Sequence, residues 1–154
     1  MEDLIQNIIT TTVNKLSEAA VLKYQDENWG QLQFFGEQCP VQWPCALVDV
    51  SSAQFSNIGK QRGKVPEERQ QGILTLEITV GNIKLTNTSG RAPKSQVRVG
   101  LSIWEIVNEV NKVLQGWNPN RQTGGFIRTA IQSITRDDGI QEKKIVYTIG
   151  LHDC

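Results

Sequence analysis

The residues best equipped for chemistry are few and far apart. There is one histidine, His152, and there are three cysteines, Cys39, Cys45 and Cys154. Cys39 and Cys45 stand six apart, and His152 and Cys154 two apart. Together they offer three sulfurs and one nitrogen to a zinc ion, but neither spacing is that of a usual ligand pair. The same residues offer a thiol beside an imidazole. Nucleophilic catalysis also needs an orienting group and an oxyanion site, and no motif marks either. Asp137 and Asp138 are adjacent carboxylates in RDDGIQE, where short side chains favour the turn over a metal. The chain has no G-x-S-x-G elbow, no Walker-type phosphate loop and no dinucleotide fingerprint. The expectation is a protein without a catalytic constellation, a cofactor or a metal.

Two groups of residues fit binding better than catalysis. GKQRGK at 59–64 brings Lys60, Arg62 and Lys64 together, a cluster suited to a phosphate or an acidic partner. No strand leads directly into it and no helix opens after it, and Glu67 and Glu68 follow, so the competing reading is a solvated loop. Residues 25–44 hold Trp29, Phe34, Phe35 and Trp43, with two prolines framing QW in PVQWP. A polar loop does not need four aromatics. They either pack over an edge of the core or form an interface patch, and Trp29, Phe34 and Phe35 are the candidates for the latter.

Composition sets the class. With 154 residues the chain is long enough for one domain with its own core. Sixteen basic side chains balance sixteen acidic ones, which counts against a non-specific nucleic-acid binder. No apolar run reaches the roughly 18 residues of a membrane span. MEDLIQN lacks the positive start and small-residue cleavage site of a signal peptide, and the low, odd cysteine count fits a reducing compartment, the cytoplasm or a particle assembled there.

The elements that must position these residues follow from periodicity. The longest signal is GILTLEITVGNIKL at 72–85, where Leu74, Leu76, Ile78 and Val80 alternate with Thr75, Glu77 and Thr79. This period of two predicts a long strand with one buried face, and Gly81 marks an expected bulge or bend. Residues 3–18 predict a helix whose stripe runs through Ile5, Ile9, Val13 and Leu16. CALVDV at 45–50, led by Pro44, predicts a short strand. SIWE at 102–105 is a capping box opening a second helix over Ile103, Val107, Val110 and Leu114, which Gly116 ends. FIRTAIQSIT at 126–135 and KIVYTIGLH at 144–152 predict a closing hairpin turned at Gly139.

The predicted order is α-β-β-α-β-β. It predicts one α+β domain over 1–154, a mainly antiparallel four-stranded sheet with two helices packed on one face, and long loops at about 52–71 and 86–100. The uncovered face carries Thr75, Glu77, Thr79 and Thr148 beside Val146, a mixture suited to solvent, a lumen or another subunit.

This order resembles the tail terminator, or tail-completion, family of long-tailed phages and prophages. The resemblance is carried by the opening helix and PCALVDV, by GILTLEITVGNIKL with SIWEIVNEVNKVLQGW, and by the closing FIRTAIQSITRDDGIQEKKIVYTIGLHD. It implies a non-enzymatic minor tail protein of the virion tail, assembled in the host cytoplasm. Members form a homo-oligomeric ring, typically a hexamer, that stops the tail tube and joins it to the head. The implied partners are copies of itself, the tail tube and head–neck proteins, with DNA passing through the lumen. Lys60, Arg62 and Lys64 would then face those neighbours. Two rivals stand beside this reading. Another neck or head–tail joining component would share the pattern. A nucleic-acid-binding module would share the element order, but should display aromatics where Thr75, Glu77 and Thr79 stand. A small thiol enzyme would depend on Cys45 or His152.

Overall fold

The computed structural model describes residues 2–34, 38–57, 70–83, 102–136 and 139–152. In chain order these form α1 (Glu2–Leu16), β1 (Tyr24–Glu27), a 3-10 turn (Gln31–Gln33), β2 (Cys45–Asn57), β3 (Gln70–Ile83), α2 (Ser102–Leu114), β4 (Ile127–Ile134) and β5 (Ile140–Leu151). The sheet has five strands in the order β1-β2-β3-β5-β4. β1 runs parallel to β2, and every other neighbouring pair is antiparallel.

This corrects the four-stranded, mainly antiparallel reading. The class is α+β, but the sheet is mixed and has a fifth strand inside the stretch read as irregular. YQDE carries no apolar alternation and two acids, so nothing local marks it as a strand. Pairing makes it one: Tyr24 to Glu27 register against Cys45 to Val48. A parallel neighbour obliges the chain to travel back before it pairs, and residues 28–44 make that return.

Two strands also outrun their sequence signals. β2 continues past residue 50 through polar SSAQFSN, because Ser52 to Asn57 each find a partner from Thr75 back to Gln70. A register shift between Val50 and Ser52 absorbs one extra residue. β5 starts at Ile140 rather than 144, since Ile140 and Glu142 pack inward beneath the return segment. Gly81 marks no bulge. A Cβ there would sit 3.0 Å from the Trp43 ring and 3.3 Å from the Cys45 sulfur, so the glycine makes room for the indole. Lys84 and Leu85, the expected end of β3, lie outside the described residues.

The core lies between the sheet and both helices. Leu74, Leu76, Ile78 and Val80 of β3 meet Ile145, Tyr147 and Ile149 of β5 on one side and Ala46 and Val48 of β2 on the other. Ile8 and Leu16 of α1 and Ile103, Val107, Val110 and Leu114 of α2 cover them. α1 packs over β1 and β2, and α2 over β3 and β5. Polar groups within this layer are satisfied. The buried Thr12 hydroxyl donates to the Ile8 carbonyl at 2.6 Å, and the Tyr147 hydroxyl donates to Asn111 Oδ1 at 3.0 Å. Gly116 takes a left-handed φ of +79° just past α2, ending it as its sequence position predicts. Among the described residues no helix is long and apolar enough to cross a membrane.

Candidate functional site

The sheet face turned away from the helices carries the unusual chemistry. Its rows read Asp49–Glu77–Val146–Ala130, Leu47–Thr79–Lys144–Gln132 and Cys45–Gly81–Glu142–Ile134. A second, smaller apolar cluster covers one end of it: Leu32, Cys39, Cys45, Leu47 and Ile140 are buried there, with Val41 and Trp43 packed against them. Beyond that cluster Asp49, Glu77 and Val146 are half-buried, and Ala130 and Gln132 are exposed.

Residues 28–34 cross this face as a strap, and side chains from both ends hold it. Gln31 is fully buried. Its Nε2 donates to the Glu27 carbonyl at 2.9 Å and to Asp26 Oδ2 at 3.3 Å, and its Oε1 accepts from the Trp29 N–H at 2.9 Å. Gly30 supplies the left-handed φ of +98° that the tight turn requires. At the far end Arg136, just past β4, reaches back. Its guanidinium donates to Glu142 Oε1 at 2.9 Å, to the Phe34 carbonyl at 3.0 Å and to the Leu32 carbonyl. Arg136 and Glu142 are only 15% and 11% exposed, so this pair is mostly shielded from solvent.

Two features result. Trp29 and Phe34 stand out from the strap, 59% and 47% exposed, with ring centroids 6.4 Å apart and planes 74° apart. That edge-to-face geometry makes one contiguous aromatic patch of two residues. Between strap and sheet lies a cleft of about 670 Å³ walled by Leu32, Phe34 and Ile134. Thr79 and Lys144 line it too, and the Lys144 ammonium lies 3.3 Å from the Glu77 carboxylate.

The chain matches no protein-family model, and no curated protein sequence aligns with it significantly.

The candidate residues from sequence are distributed unevenly. Trp29 and Phe34 come together on the strap. Phe35, Lys60, Arg62, Lys64, Asp137, Asp138 and Cys154 lie outside the described residues. The zinc set and the thiol–imidazole pair do not assemble. Cys39 and Cys45 are buried at the Gly81–Glu142 end of the sheet, whereas exposed His152 follows Leu151, whose partner is Gly72. Those ends are about 30 Å apart at about 3.3 Å per residue. Burial pushes the Cys45 thiol up to about 12, so it stays protonated near neutrality and is no nucleophile. Among the described residues no three His, Cys, Asp or Glu side chains gather in a metal-binding group.

Sequence reasoning missed Gln31, Arg136 and Glu142, the residues that build the patch. Arg136 and Glu142 bracket a turn-forming stretch and look like its solvated flanks. The one available signal was a pair of opposite charges close to the two ends of a hairpin turn, although Glu142 pairs with Ile134 and Arg136 reaches it from just past the strand.

Proposed function

We propose that this protein is a structural, non-enzymatic tail protein of a long-tailed phage or prophage. It acts as a tail terminator whose copies form a ring, hexameric by resemblance, on the end of the tail tube and join it to the head. Its place is the virion tail, reached by assembly in the host cytoplasm. The observation that carries this reading is the outward sheet face, where an exposed aromatic pair stands beside a cleft and a mixed polar and apolar surface. A strap whose backbone is fastened at Trp29 and Phe34, with both rings exposed, suits docking onto another protein, because less backbone entropy remains to be lost on binding. A ring needs two different patches on each subunit, and the strap with its aromatics supplies one.

The stretches that carry the resemblance support the same reading: PCALVDV, GILTLEITVGNIKL, SIWEIVNEVNKVLQGW and the closing hairpin. β1 and its parallel pairing lie outside the order that the resemblance implied. A neck or head–tail joining component would use a similar surface, and what separates the two is which end of which structure is bound. The test is light scattering on the purified protein, then electron microscopy with purified tail tubes. Particles seated on tube ends are expected. Indifference to tubes together with binding to head portals would transfer the protein to the neck.

A further inference from the structure

The cleft between strap and sheet holds polar groups that the fold leaves unused. Thr79 of β3 and Lys144 of β5 are register partners on its floor, and Glu142 stands two residues before Lys144 on the same face. Thr79 is 3% exposed, yet no described residue bonds its hydroxyl, which opens into the cleft. A buried hydroxyl without a partner costs stability, so such groups are rare and call for a reason. Glu142 gives Oε1 to Arg136, while its Oε2 has no described partner. Lys144 has one described partner, Glu77 at 3.3 Å, and an ammonium carries three donors. The cleft therefore offers an acceptor, a hydroxyl and a donor beside the apolar walls of Leu32, Phe34 and Ile134.

We infer that this cleft binds an extended peptide segment of a partner protein, through one main-chain amide and the apolar side chain beside it. Charge selects the class. The charged residues lining the cleft are Arg136, Glu142 and Lys144; Arg136 already faces Glu142, and Lys144 faces Glu77. Asp49 lies one strand beyond Glu77 and does not line the cleft. An anion or a cation would enter with no counter-charge left to receive it, which is costly in a shielded site. An amide carries a donor and an acceptor and no charge. Its C=O accepts from Lys144 or Thr79, its N–H donates to Glu142 Oε2, and its apolar neighbour lies on Leu32, Phe34 and Ile134. Position selects a chain over a small molecule. Phe34 walls the cleft and also meets Trp29 edge to face, so a segment leaving the cleft runs onto the exposed rings. The inference rests on the reading of this face as a docking surface and names what docks there.

The test is a titration of the full chain with the blocked tripeptide acetyl-Ala-Leu-Ala-amide, read by two-dimensional amide NMR. Saturable shifts are expected at 28–34, Thr79, Gly81, Glu142 and Lys144, with a dissociation constant of about 1 mM or tighter. The same peptide with aspartate or lysine in place of leucine should bind about tenfold more weakly. Thr79→Val removes the hydroxyl at nearly constant volume. It should weaken the tripeptide by about fivefold and leave the melting temperature at or above wild type, because no buried partner is lost. Lys144→Met should weaken it by a similar factor. No saturable shift at concentrations about twentyfold above 1 mM overturns the inference. So does an affinity that both variants leave unchanged, or tighter binding of a charged peptide. Equal binding of N-methylacetamide would make the ligand a small amide, and uridine filling the cleft in place of the tripeptide would make it a nucleobase; either result overturns the inference. No tail tube enters this titration. Tripeptide binding with indifference to tubes keeps the cleft and removes the tail assignment, and capped tubes without tripeptide binding do the reverse.

Discussion

Arg136 is the residue on which the outward face depends. It neutralises Glu142 and caps two carbonyls of the strap at once. Removing one partner of a shielded pair leaves the other charged and uncompensated, which costs more than the pair itself contributes. Arg136→Ala is expected to destabilise the protein by about 3 kcal/mol, read by urea denaturation, and to flatten the near-ultraviolet tryptophan signal. The double variant with Glu142→Ala should recover part of that loss, because no buried charge is then stranded. Cys45 and Tyr147 give a separate, pH-dependent signature. Burial raises both above their ordinary values. Each is neutral in the folded state under conditions where the unfolded chain has begun to ionise. Their stabilising contribution is complete below the unfolded thiol value of 9.0 and is lost as pH rises toward about 12. The unfolding free energy should thus fall between pH 9 and 11, with a slope of at most about 1.4 kcal/mol per pH unit for each group, read by urea denaturation at each pH. Tyr147→Phe should fall less steeply over the same range.

At the scale of elements, what the sequence revealed follows where the information is local. β3, α2 and the closing hairpin were legible because their periodicity and their turn glycines are written into adjacent residues. Leu74 to Val80 alternate, and Gly116 and Gly139 each take positive φ where a break was expected. β1 and the second half of β2 were not legible, because YQDE and SSAQFSN are strands only through partners elsewhere in the chain. The site divides in the same way. Trp29 and Phe34 stood out as aromatics in a polar stretch, whereas Gln31, Arg136 and Glu142 gain their roles from tertiary placement alone. Gln31 is the element-scale test. Gln31→Ala leaves the Glu27 carbonyl and the Trp29 N–H without a protein partner, and should cost about 1–2 kcal/mol. Exchange of β1 amides should accelerate before that of β3 amides, which would separate loosening of the edge from global unfolding.

For the whole molecule, the two faces of the sheet divide the work. One is sealed by α1 and α2 and supplies stability, and the other, half covered, is the face proposed to dock. Replacing both exposed aromatics with Trp29→Ala and Phe34→Ala should change stability by no more than about 0.5 kcal/mol, as is usual for surface positions. On the tail reading the same double variant should lower occupancy of tube ends by about tenfold or more, counted by electron microscopy. Wild-type occupancy by this variant would remove the aromatic pair from the interface and leave the open cleft as its replacement.

The guanidinium that fastens the strap lies more than a hundred positions downstream of the carbonyls it grips. A chain still on the ribosome therefore carries Trp29 and Phe34 on an unfastened loop until the C-terminal hairpin has emerged. If copies join through the strap, as the tail-ring proposal has it, neighbouring nascent chains on one message meet with this surface incomplete, and joining is deferred until synthesis of each subunit is nearly finished.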